Sequence, residues 1–414
     1  MESTKTYLKY YFSVTLIILI VVALINMIID PFNVYHEQVY HGYNQNKSGA
    51  WRQHRLIKAE KTILEQPNII IIGTSRTENG LRCDHPAILN NKCLNLSMYG
   101  SNFYEQYRYF QHALNVSTIK EIVIGIDLFA FNQNRNNHEH FSEQLLSISA
   151  NGQPQSPNYY AEKAKILLSI DTLKYSIRTI KKSRRAAKRD STEQGKDDFF
   201  SYDRWRRHSD DYLNSLWFSK DAPDLVLLPD DTTSGTLHLF RQMTRQAYQH
   251  GVELKIFISP GHAWLWETLH AAGLWNEFEL LKQQIVSIVE DEANENKLAA
   301  FAVWDFSGYN TVTTSAKPRR GVSENGPGLY TDPSHYRHTV GDMVLDRLFG
   351  TAVTQAPDDF GVKLTQKNID AHLRTIRQQQ QIYRTHHAKL YTMIEALAEA
   401  AADKRASRKN RVGI

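Results

Sequence analysis

The chain has only two cysteines in 414 residues, Cys83 and Cys93. That excludes a disulfide-dense scaffold. It also excludes a cysteine-rich zinc module, which needs more ligands at tighter spacing. Two readings of the pair stay open: unrelated buried thiols, or one disulfide closing a small loop in an oxidising compartment. Net charge is scarce too, at +5. Over this length that is too little for a nucleic-acid binder, and no nucleic acid is expected as a partner. No phosphate-binding glycine loop, dinucleotide fingerprint or metal-ligand cluster occurs, so neither a cofactor nor a metal is expected. Only one stretch is long and apolar enough to span a membrane, which excludes a multi-pass transporter.

What is present begins with that stretch. Tyr11 to Ile29 reads YFSVTLIILIVVALINMII. It carries no charge and has about the twenty residues that a bilayer-crossing helix needs. Lys5 and Lys9 precede it, and Asp30 and Pro31 follow. The positive-inside rule places residues 1–10 in the cytoplasm, the anchor at 11–29 and the rest outside. A cleaved signal would have a shorter apolar core and end in small residues. This run ends in Asn-Met-Ile-Ile-Asp-Pro, so an uncleaved anchor is expected.

Residues 30–66 read as a polar stalk that ends in a helix, AWRQHRLIKAEKTILEQ, stopped by Pro67. Hydrophobic residues make up 42% of the chain, enough for a large core in a domain over 67–352. That domain alternates strands and helices. Short apolar runs lie at 68–73, 93–97, 121–127, 253–258 and 301–305, with helical stretches at 103–115, 236–250 and 275–292 between them. Several of the runs are nearly continuous and β-branched, as in parallel strands buried on both faces. The pattern predicts an α/β fold of three layers with about five parallel strands. An insertion interrupts it from about 133 to 235. It holds TIKKSRRAAKRDSTEQGKDD at 179–198, a run without apolar period that reads as an exposed loop. Such a run is either simply solvated or placed against anionic lipid or an acidic glycan. Residues 353–414 close the chain; 364–401 reads as one long helix, and the basic tail RASRKNRVGI as frayed.

Polar or glycine-bearing segments follow all five runs: Gly73-Thr74-Ser75-Arg76, Ser97 to Asn102, Asp127, Ser259-Pro260-Gly261-His262 and Asp305 to Gly308. In open parallel sheets ligands bind beyond the carboxyl ends of the strands, so five such ends suggest one rim. Ser75 follows a buried strand and a glycine, where a serine either caps a helix or exposes its hydroxyl as a nucleophile. Asp332 and His335 lie three residues apart in Tyr330-Thr331-Asp332-Pro333-Ser334-His335-Tyr336. Placed on one turn, both can serve one serine, the imidazole as base and the carboxylate as its orienter. Arg76 either meets a substrate anion or forms a structural ion pair. His262 either contacts substrate or is a satisfied structural histidine. Trp264, Trp266 and Trp275 either line a groove or pack the core.

The order of these motifs resembles the SGNH hydrolase superfamily, in particular its membrane-anchored DltD/AlgX/AlgJ-like branch. The blocks carrying the likeness are GTSR at 73–76, NLSMYGSN at 95–102, GIDLFAF at 125–131, SPGHA at 259–263, WDFSGYN at 304–310 and YTDPSHY at 330–336, with Asp30-Pro31 after the anchor. The resemblance implies a flavodoxin-like sheet, Ser75 as nucleophile, His335 as base and Asp332 as orienter. It also implies an oxyanion hole from the amides of Ser75 and Gly100. The family's third block usually supplies an asparagine in Gly-x-Asn-Asp. Gly125-Ile126-Asp127 lacks it, leaving two donors or a substitute such as Asn102. By resemblance, the chain performs acyl-ester chemistry, transfer or deacylation, on a cell-surface glycan in the bacterial periplasm, anchored in the inner membrane. A multi-pass membrane O-acyltransferase is the implied partner. Two alternatives stay open: a non-catalytic assembly or glycan-binding protein of the same fold, and an esterase acting on membrane lipid.

Overall fold

β-Branched side chains decide the sheet. A computed structural model describes residues 2–35, 38–47, 49–190, 205, 225–227, 234–317 and 328–412. They form two compact units, residues 1–64 with 139–197 and residues 65–138 with 198–414.

The second unit contains β1 (Ile69–Ile72), β2 (Cys93–Asn95), β3 (Glu121–Ile126), β4 (Glu253–Ile258), β5 (Ala302–Asp305) and β6 (Val362–Leu364). They lie in the order β2-β1-β3-β4-β5-β6. The first five are parallel, and β6 pairs antiparallel with β5, Val303 opposite Leu364. The helices are α3 (Ser75–Gly80), α4 (Phe103–Val116), α7 (Thr236–Gln249), α8 (Ala263–Ala271), α9 (Trp275–Asn296), α10 (His338–Phe349), α11 (Ile369–His386) and α12 (Ala388–Val412).

Alternation along the strands sends side chains to both faces. Ile70 and Ile72 join Phe103, Phe110, Phe240 and Ile285 in one core. Ile69 and Ile71 join Phe257, Val340 and Val344 in another. Both faces are therefore covered, which is why the parallel strands read as continuous apolar runs. Cys83 and Cys93 are joined by a disulfide.

Three expectations are corrected at the C-terminal end. Residues 362–364 form a strand too short for its alternation to be read. The helix expected over 364–401 is two helices, broken at His387, where the ring Nδ1 lies 2.9 Å from the Tyr383 carbonyl. The tail expected to fray continues the helix to Val412.

The first unit contains α1 (Glu2–Ile29), α2 (His54–Glu65), α5 (Tyr159–Leu167) and α6 (Ile170–Asp190). α1 is long and apolar enough to cross a membrane. It packs on α5 and α6. The expected stalk and the first part of the insertion thus join α1 in one compact unit. Residues 179–190, read as loop, are helical; 191–198 lie outside the described residues. The buried face of α6 is Thr172, Ser176, Thr179 and Ser183. This is a helical spacing of small polar residues; apolar residues at helical spacing occur only in the first half of α6, at Ile170, Leu173, Ile177 and Ile180, so the part read as loop shows no such period.

Two glycines seat α3 on the sheet. A Cβ on Gly73 would lie 2.3 Å from the Thr77 hydroxyl, and one on Gly125 only 2.1 Å from it. Gly125→Ala is expected to destabilise the unit by about 1–3 kcal/mol through overpacking. Adding Thr77→Ala should recover part of the loss in thermal unfolding. An unchanged Tm for Gly125→Ala would show that the contact is not tight.

Candidate active site

The strand order reverses between β1 and β3, because β2 lies on one side of β1 and the later strands on the other. The crevice beyond the carboxyl ends of β1 and β3 is the switch point where such sheets bind ligands. Ser75 follows β1 as the first residue of α3. Thr74 caps that helix, its hydroxyl accepting from the Arg76 amide at 3.3 Å.

The acid–base loop is shaped by its own turn. Asp332 Oδ1 accepts from the amides of Ser334 at 2.8 Å and His335 at 2.9 Å, with Pro333 presetting the backbone between them. The Thr331 amide donates to the His335 carbonyl at 2.9 Å, and buried Tyr330 and Tyr336 clamp the ends. Two residues 260 positions apart in sequence then meet: Ser75 Oγ lies 2.8 Å from His335 Nε2. His335 Nδ1 lies 2.8 Å from Asp332 Oδ2. Burial alone would push the Asp332 carboxyl up. The His335 hydrogen bond and charge, with the two amides, outweigh it and hold the group below its ordinary value. The structure therefore brings together a hydroxyl, an imidazole and an ionised carboxylate in a proton-transfer chain.

Neither the Ser75 nor the Gly100 amide donates to another described protein group. Gly100 adopts φ +67, where a side chain is strained, and a Cβ there would lie 3.2 Å from the His138 ring. Arg135 donates to the Gly100 carbonyl at 3.0 Å. No sequence signal pointed to Arg135, which lies in a polar loop after β3.

The remaining candidates have other partners. Asn102 caps α4, its oxygen accepting from Glu105 N at 2.9 Å. Its amide nitrogen donates to Arg135 O at 3.0 Å and Asn137 Oδ1 at 2.9 Å. Both amide hydrogens are occupied, so Asn102 has none left for an oxyanion. Arg76 gives Nη1 to Asp127 Oδ1 and Nε to Ser334 Oγ, each at 2.6 Å. Thr74 gives its hydroxyl to Asp127 Oδ2 at 2.5 Å. Arg76 thus takes the ion-pair alternative. Asp127 accepts from both groups and supplies no donor where the resembled family has its asparagine.

His262 is buried and caps α8. Its Nδ1 accepts from Trp264 N at 3.0 Å, and Nε2 donates to Ser315 O at 2.9 Å. Its amide donates to the Pro333 carbonyl at 2.9 Å, steadying the acid–base loop. It takes the structural alternative, with no nitrogen left for a substrate. Trp264, Trp266 and Trp275 are all buried. At the end of β5, Asp305 pairs with buried Lys282 at 2.9 Å and with His372 at 2.9 Å. That end of the expected rim is a structural ion cluster. Comparisons with protein-family models, curated proteins and solved structures gave no match, so the site is read from its own residues and geometry.

Two outcomes are expected. Arg76→Met leaves Asp127 buried without its cation, which should cost about 3–5 kcal/mol in denaturant unfolding. Adding Asp127→Asn should return part of this; strict additivity would rule out the coupling. Burial pushes the His262 imidazole down to about 4 against the opposing Ser315 hydrogen bond. Its unfolded value is near 6.5, so between pH 6.5 and 4 only the unfolded chain binds that proton. Stability is full above this window and falls by up to about 3 kcal/mol as pH drops through it. His262→Asn should flatten that slope in unfolding measured at several pH values.

Proposed function

We propose that the chain carries out serine-dependent acyl-ester chemistry on a cell-surface glycan. The observation that carries this reading is the unbroken contact from Ser75 through His335 to Asp332. Ser75 Oγ attacks the acyl carbonyl while its proton passes to His335 Nε2. Asp332 holds the imidazole by Nδ1 and stabilises the imidazolium. The amides of Ser75 and Gly100 receive the developing oxyanion. His335 then returns the proton to the departing alcohol, leaving an acyl-Ser75 ester. A sugar hydroxyl, or water, gives its proton to His335 and takes the acyl group, and His335 passes that proton to the departing Ser75 Oγ.

The sheet order, the serine at the β1 terminus and the late acid–base loop support membership of the SGNH superfamily in its anchored DltD/AlgX/AlgJ-like branch. Lys5 and Lys9, in the first turns of α1 and ahead of its apolar run, support an inner-membrane anchor with its N-terminus in the cytoplasm. A multi-pass O-acyltransferase is the matching donor of acyl groups.

One observation favours a second reading, a non-catalytic assembly or glycan-binding protein. Asp127 stands where a donor is expected, and losing one oxyanion donor costs about 10²–10³ in rate. A fluorophosphonate probe separates the two. Labelling of the wild type with none of Ser75→Ala, and strong slowing in His335→Ala, is the expected result. A folded wild type that takes no label sinks the catalytic reading in favour of the second. Turnover of short esters without any glycan would point instead to a membrane-lipid esterase.

A further inference from the structure

Asn26 is fully buried although it lies in the last two turns of the apolar helix α1. Its amide nitrogen donates to the carbonyls of Leu167 at 2.8 Å and Ser169 at 3.2 Å. Its carbonyl oxygen accepts from the Ser176 hydroxyl at 2.9 Å. The α5–α6 elbow is thereby fastened to α1 at a defined height. Asn26 precedes Ile29, the end of the helix, by three residues, or about 4.5 Å along the axis.

Each elbow residue that bonds Asn26 has a large apolar neighbour facing outward. Leu168 is 49% exposed, Ile170 69% and Ile177 45%. Exposed apolar side chains gathered in one place mark an interaction surface. Their height selects the occupant. Segments lying in the membrane interface bury their apolar face about 5–10 Å into the headgroup–acyl boundary, and Asn26, about 4.5 Å from the end of the apolar helix, lies at the shallow edge of that range. Leu24, Met27 and Ile28, in the same turns of α1 as Asn26, are also exposed, so apolar surface lies at this height on both α1 and the elbow. The elbow is also prepared for low dielectric. The last carbonyl of α5, that of Leu167, which a helix terminus leaves without an intrahelical partner, accepts from Asn26. The two lysines that flank the elbow each have a carboxylate one turn away, Lys165 with Glu162 at 2.6 Å and Lys174 with Asp171 at 2.9 Å.

We infer that the α5–α6 elbow, through Leu168, Ile170 and Ile177, is seated in the lipid headgroup–acyl boundary of the bilayer that α1 crosses. This rests on the reading of α1 as a membrane span. The contact is made by apolar side chains, so salt should change it little.

The test uses the full chain in phosphatidylethanolamine–phosphatidylglycerol vesicles. Its two native cysteines are bonded to each other, so one added cysteine takes an environment-sensitive dye alone. Dyes on Leu168→Cys and Ile170→Cys are expected to show blue-shifted emission and protection from iodide. A spin label near the lipid headgroup should quench them, equally at low and high salt. A dye on Ile18→Cys should be quenched by a label deep in the acyl chains. Ready iodide quenching at 168 and 170, with Ile18→Cys still quenched from within the bilayer, overturns the seat and leaves the span intact. Loss of lipid quenching at all three positions overturns the span and the seat with it.

Discussion

Arg76 and Asp127 form a buried ion pair on which the candidate site depends. Asp127 closes β3, the strand at the switch point. Through Thr74 it holds the cap of α3, and through Arg76 it reaches Ser334 in the acid–base loop. One carboxylate therefore registers the serine turn, the sheet and the histidine loop against one another. A buried carboxylate is costly alone, and here both oxygens are satisfied by close donors. Its cation sends a further donor to the loop, so the fork geometry of arginine matters as well as its charge.

The same device recurs away from the site. Asp305 with Lys282 and His372 joins β5 to α9 and α11. Glu267 takes the Tyr309 hydroxyl and Arg384, bringing α11 against α8. In the unit that contains α1, buried Asp30 accepts from the amides of Val34 and Tyr35 and pairs with Lys47 at 3.2 Å. Polar groups withdrawn from water are paired in each case. Removing either partner would expose the full desolvation cost of the other.

Much of the fold was legible because its signals are local. The runs IIII, EIVIGI and ELKIFI declare buried parallel strands by composition. Helices α4, α7 and α9 appear within a few residues of their expected bounds. Two misreadings share one cause. The second half of α6 buries Thr179 and Ser183, and β6 has three residues. Neither segment has an apolar period to detect. At the site, Arg76, Asn102 and His262 each carried alternatives that local sequence could not separate, because polar residue types serve as caps, ion pairs and substrate contacts alike. Arg135 left no local trace, since its contact with Gly100 spans 35 positions.

Residue order alone determined the apolar character and length of α1, the alternation of strand and helix, and the internal turn of Asp332-Pro333-Ser334-His335. Each depends on interactions within a few residues. Tertiary structure decided everything that needs distant residues to meet. It placed His335 Nε2 on Ser75 Oγ across 260 positions, gave Arg76 to Asp127 and occupied both hydrogens of the Asn102 amide. It also fastened Asn26 to an elbow more than 140 positions away. The physical reason is that a side chain's chemistry is set by its residue type, while its partner is set by packing.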